Sequence, residues 1–204
     1  MNRRTRRVLS AAAAWLVCAS LSQASPKDTR APQVPENLQV PAGNEATFRA
    51  RAAGVQIYVC NPSAADPTQF AWSFKAPEAK LLGARGRVVG VHYAGPTWES
   101  ERSKVVGAML QSAPSPDPDA IPWLLLQAKS TTGPGVFDRV TFVQRLRTGG
   151  GKAPATGCDA ASVGRELRVP YTAEYVFYRG TPAGPRVTAR EPSSSRRRSS
   201  GRRS

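Results

Sequence analysis

The sequence predicts an all-β, single-domain fold: an antiparallel β-sandwich or barrel of about ten short strands with little or no helix. Three observations carry this. Apolar residues recur at every second position in a series of short stretches, the period of a half-buried strand. Turn residues separate these stretches at roughly ten-residue spacing. No stretch repeats apolar residues at the three-and-four spacing of an amphipathic helix, and residues 159–164 suggest at most one helical turn.

The first residues form an export signal. Arg3, Arg4, Arg6 and Arg7 make a basic start, residues 8–21 an apolar run, and Ser22-Gln23-Ala24 a small-x-small cleavage site, so residues 1–24 are expected to be removed near Ala24. The run of 14 residues falls short of the roughly 20 that span a bilayer, which argues against a transmembrane anchor. Cys18 lies inside it behind Trp15-Leu16-Val17, without the small residue a lipoprotein signal places there, and leaves with the peptide. Cys60 and Cys158 remain. In an exported protein two cysteines most simply form one disulfide, the alternative being two free thiols. The bond would close 98 residues, worth on the order of 4 kcal/mol in the chain-entropy account.

The formal charge of +15 misdescribes the domain. Four of the basic residues belong to the export signal and seven to residues 186–204, leaving residues 25–185 at only +5. That charge gives no argument for specific nucleic-acid binding. Residues 181–204 end in the low-complexity, basic EPSSSRRRSSGRRS, expected to be a disordered solvated tail; its sharper reading is weak attraction to an anionic envelope polymer.

Residues 25–44 are proline-rich and polar, an extended lead-in rather than a packed element. The β domain follows over 45–180. EATFRAR alternates Ala46, Phe48 and Ala50 against Thr47, Arg49 and Arg51, and Ala53-Gly54 suggests a hairpin into VQIYVC. In QFAWSFK the stripe Phe70, Trp72, Phe74 is read as core, with a corner at Ala76-Pro77-Glu78. RVVGVHY sets Val89, Val91 and Tyr93 on a core face and Val88, Gly90 and His92 on an open one. Ala94-Gly95-Pro96 turns the chain, TWE continues, SERS turns it again, and KVVGAML returns. IPWLLLQA, apolar on both faces, is a strand central to the core. In VFDRVTFVQRLR, Val140, Phe142 and Leu146 point inward while Arg139, Arg145 and Arg147 share an outer, solvated face. ELRVP and AEYVFYRG close the set.

The segments VQIYVC, FAWSFKAPEAKL, GVHYAGPTWE, IPWLLLQA, GVFDRVTFVQRLRTGGGKAP, GCDA and RVPYTAEYVFY, in this order and spacing, resemble domain-of-unknown-function family 3455, secreted proteins of bacteria and fungi. The resemblance spans about residues 33–180 and implies a class, not a mechanism. Some fungal relatives carry a malate dehydrogenase label, but this chain has no G-x-G-x-x-G between strand and helix and no βαβ alternation. Where relatives tend toward a glycine-bearing turn, residues 99–103 read Glu-Ser-Glu-Arg-Ser, which weakens a role for Glu101 and Arg102.

The chemistry-bearing residues concentrate around HYAGPTWE. The only histidine, His92, stands beside a Gly-Pro turn, where it can contact a ligand or act as a general base oriented by Glu99 or Tyr93. Trp98 at a loop edge can stack on a flat ligand or serve as core. His92, Tyr93, Trp98 and Glu99 are therefore the candidate ligand-binding residues. No catalytic set is assigned: there is no G-x-S-x-G elbow, and no spacing singles out a carboxylate pair such as Glu99 with Asp138 or Glu174. No cofactor or metal is expected, because one histidine leaves too few zinc ligands and Asp117 with Asp119 lack the rest of an EF-hand loop. The expected function is a non-enzymatic, exported binding module for a small molecule or envelope polymer. The alternatives are a structural envelope or matrix protein without a pocket, and a secreted hydrolase using His92 with a carboxylate.

Overall fold

The computed structural model describes residues 30–181; the expected export signal and the basic tail lie outside them. Eight strands make one closed barrel: β1 (Asn44–Pro62), β2 (Phe70–Leu82), β3 (Val88–Tyr93), β4 (Thr97–Glu99), β5 (Lys104–Ala113), β6 (Trp123–Thr132), β7 (Val140–Gly150) and β8 (Glu166–Gly180). Each pairs antiparallel with its neighbours in sequence, and β8 returns to β1. Closure leaves no strand edge open along the paired lengths.

The all-β expectation holds, but the strands are fewer and longer than the expected ten. Gly54 is not a hairpin: it lies within β1, opposite Ala79 of β2 and Tyr171 of β8. A Cβ there would fall 2.1 Å from the Glu78 carbonyl oxygen, so this glycine permits close approach of two strands rather than a turn. Nor is Ala76-Pro77-Glu78 a corner. Pro77 sits in β2 just before its pairing with β3 begins, and Pro170 sits in β8 one residue beyond its pairing with β7. Both prolines thus occupy stretches paired on one side only, where a strand tolerates a missing N–H.

Two apolar clusters hold the fold, one on each face of the sheet. Inside the barrel, Phe48, Phe137 and Phe177 fill one end, with Phe137 and Phe177 ring centroids 4.8 Å apart. Outside it, Leu125, Leu146, Val176 and Tyr178 form a second cluster with Leu38. The lead-in is therefore packed, contrary to expectation. A 3₁₀ turn, Glu36–Leu38, buries Leu38 completely against the barrel wall. Gln144 Nε2 donates to the Leu38 carbonyl (2.7 Å), Tyr178 OH donates to Gln144 Oε1 (2.6 Å), and Asn37 Nδ2 donates to the Ser112 carbonyl (2.9 Å). This strap explains why β6 and β8 are apolar on both faces.

Register irregularities overturn the expected facings in two strands. One between Leu81 and Leu82, opposite Val88 and Gly90, shifts the alternation, so that Val91 turns outward at 43% exposure and His92 turns inward at 2%. Another between Val140 and Phe142 puts Val143 and Arg145 on the interior face and Phe142 and Leu146 under the strap. The stripe Phe70, Trp72, Phe74 is not core either, since that part of β2 projects past β3; Phe74 is 56% exposed.

Candidate functional site

The end of the barrel opposite the three phenylalanines is open. Here β1 and β2 run on beyond β3 as a projecting hairpin, held to the loop after β7 by three ties. The Cys60–Cys158 disulfide is one. Trp72 Nε1 donates to the Thr156 carbonyl (3.0 Å), and Tyr58 OH donates to the Gly151 carbonyl (2.6 Å). Between this hairpin, the Ala94-Gly95-Pro96 turn and the ends of β5 to β7 lies a cavity of ≈ 510 Å³. An eight-stranded barrel has an interior just wide enough for side chains or one small ligand. In this barrel phenylalanines take one end and the cavity the other.

Trp98, His92 and Tyr175 form the cavity floor. His92 and Trp98 are cross-strand partners on β3 and β4, and their rings stack 4.7 Å apart at 10°. Tyr175 meets both edge-on, at 5.0 Å from His92 and 5.3 Å from Trp98. Room for the indole comes from Gly107 across the pair, where a Cβ would lie 3.1 Å from the ring. His92 Nδ1 is 2.8 Å from the Thr97 carbonyl, so Nδ1 carries the proton and donates, leaving Nε2 as an acceptor. Burial lowers the His92 pKa to about 4, so the ring is neutral at physiological pH. Burial also raises the Tyr175 pKa, offset in part by Arg145 and Tyr171.

The floor is short of hydrogen-bond partners. Gln56 Nε2 and Trp98 Nε1 are buried without one among the described residues. Such atoms cost about 1–3 kcal/mol each and are rare in cores. Around the mouth, Phe74, Met109, Ile121 and Leu124 add apolar surface, with Met109 65% exposed.

Arg145 is the notable polar group, and its expected place on a solvated outer face is incorrect. On β7 it stands between Leu124 of β6 and Tyr175 of β8 and lines the cavity. Its Nε and Nη2 donate to the Pro122 carbonyl at 3.1 and 2.9 Å, fixing the guanidinium. Among the described residues it forms no salt bridge, and no acidic side chain lines the cavity. Lys75, the other cation at the mouth, pairs with Glu166.

The four candidate residues are divided by strand alternation. His92 and Trp98 face inward and meet. Tyr93 and Glu99 face outward, where the Tyr93 hydroxyl donates to Glu99 Oε2, a bond that raises the Tyr93 pKa. Glu99 therefore does not orient His92. Glu174 is held by Arg49 and Arg147, and Asp138 by Arg139, so neither is gathered with His92. Asp117 Oδ1 accepts the Asp119 amide in an exposed turn. Residues that sequence reasoning missed are Arg145, Tyr175, Gln56 and Gly107. Only Gly107, an interior strand glycine in KVVGAML, left a local trace.

Fold and cavity together define the class: a closed, up-and-down antiparallel β-barrel with a pocket in one mouth. The chain belongs to the family described as Protein of unknown function (DUF3455), whose model matches residues 41–179. No curated protein and no solved structure matches it.

Proposed function

We propose that this protein is an exported binding module that takes a small, largely apolar ligand into the mouth of its barrel. The observation that carries the reading is the ≈ 510 Å³ cavity, which falls within the roughly 300–1,000 Å³ usual for small-molecule sites. Its aromatic floor suits a flat or chain-like apolar body, and its sparse polar groups would set orientation. Export is supported by the Cys60–Cys158 disulfide and by the sequence of residues 1–24. Among the described residues no helix is long and apolar enough to cross a membrane. His92 acts here as a neutral stacking partner of Trp98, and Tyr93 and Glu99 stabilise the outer face of β3–β4. Two observations favour binding over hydrolysis: among the described residues no carboxylate orients His92, and its basicity is suppressed.

The test is a thermal-shift screen of small apolar compounds against wild type and Ser112→Trp, which places a large ring at the cavity edge. A true ligand raises the wild-type Tm, by an amount that grows with concentration, and does so much less in the variant. If every active compound shifts both proteins equally, the mouth cavity is not the site.

A further inference from the structure

The apolar cavity contains one feature that an apolar ligand alone does not use. Arg145 is a permanent cation, half-buried at the cavity wall, with no acidic partner among the described residues. Its surroundings are chiefly apolar or aromatic: Leu124 and Tyr175 flank it across the sheet, and Ile121, Leu126 and Trp98 complete the wall and floor. Desolvating a cation is costly unless an anion compensates for it, so an arginine held in such a wall by neutral acceptors alone is a binding determinant for an anion. The guanidinium is also preorganised. Nε and Nη2 are tied to the Pro122 carbonyl, which holds the plane in place at the cavity wall beside the Tyr175 hydroxyl.

The rest of the cavity agrees in sign. Its second cation, Lys75, is occupied by Glu166, and no carboxylate lines the wall to repel an anion or compete with it. Trp98 and Gln56 carry buried N–H groups without acceptors near the floor.

Building on the binding role proposed above, we propose that the ligand class is a small amphipathic organic anion. Its carboxylate or equivalent acidic head pairs with Arg145 at the cavity wall. Its apolar body lies over Trp98, Leu126 and Ile121, and the exposed side chains of Phe74 and Met109 cover it at the mouth. The shared chemistry is an anionic head on an apolar body, and the body is either an aliphatic chain or an aromatic ring.

Isothermal titration calorimetry on the mature chain separates the alternatives with two matched probe pairs: decanoate against decanamide, and naphthalene-1-acetate against its amide. Wild type should bind at least one acid about tenfold or more tightly than its amide, the effect of one charge-assisted contact. Whichever pair shows this preference identifies the body. Arg145→Gln should reduce the preference to less than about threefold, and Arg145→Lys should recover part of it. Near-identical melting of the three proteins without probe confirms that the fold is retained. Amide binding equal to acid binding in wild type, or a preference that survives Arg145→Gln, overturns the anion assignment and leaves the pocket standing. Failure of all four probes to bind at millimolar concentration counts against both the anion assignment and the binding role.

Discussion

His92 offers the sharpest test of the floor geometry, because its burial has a calculable effect on stability. Its folded pKa is about 4 against an ordinary value near 6.5, with desolvation the leading cause. The sign follows from linkage. A histidine whose folded pKa is depressed is protonated more readily in the unfolded chain, so its effect is absent above pH 6.5 and destabilises as pH falls toward 4. With these two values the loss is about 2 kcal/mol at pH 5 and about 3 kcal/mol at pH 4, and it levels off below that. The comparison protein is His92→Asn, which does not titrate and keeps a nitrogen able to donate to the Thr97 carbonyl. Carboxylates also titrate over this range, so the quantity to measure is the difference between the two proteins. Urea unfolding at pH 7, 6, 5 and 4 gives it directly. Wild type should lose about 3 kcal/mol more than the variant between pH 7 and pH 4. Parallel pH curves would show that His92 is solvated, and the stacked, buried floor would then be wrong.

Three further substitutions probe the frame around the cavity. Gly54→Ala puts a methyl 2.1 Å from a backbone oxygen of β2 and should cost about 1–3 kcal/mol or prevent folding, as read from urea midpoints; a neutral result would restore the hairpin interpretation. Leu38→Ala empties a fully buried position under the strap and should cost about 2–5 kcal/mol in the same assay, whereas a merely draped lead-in would cost almost nothing. Replacing both Cys60 and Cys158 with serine removes a cross-link over 98 residues, and the melting curve should record a loss of about 2–5 kcal/mol; reductant should then no longer affect Tm.

How much was legible in the sequence follows from which interactions are local. Alternation is local, so EATFRAR, RVVGVHY and AEYVFYRG are recognisable as strands, and the cysteine pairing follows from there being two cysteines after the apolar start. Phase along a strand is not local. A single irregularity inverts every side chain beyond it, and nothing in RVVGVHY or VFDRVTFVQRLR marks where Val88 or Val140 departs from register. That is why alternation alone puts His92 on the open face and Arg145 on the solvated one. Punctuation misled for a related reason. Gly54 and Pro77 have the composition of turns, but their roles depend on neighbours that only closure of the barrel supplies.

The same reasoning shows why the cavity sits at one end. β1 and β2 outrun β3 and β4, and β4 spans only three residues, so the wall is short on one side of the mouth and tall on the other. The aromatic side chains of the tall hairpin, Phe74 among them, then have no interior to fill and line an opening instead. A long hairpin left alone would lean and fray, and its ties to the loop after β7 through Cys60–Cys158, Trp72 and Tyr58 oppose that. The disulfide therefore does more than restrict the unfolded chain: it holds one wall of the cavity at a set distance from Arg145 on the other. Its removal should weaken ligand binding in addition to lowering stability, and binding measured well below the lowered Tm distinguishes the two effects.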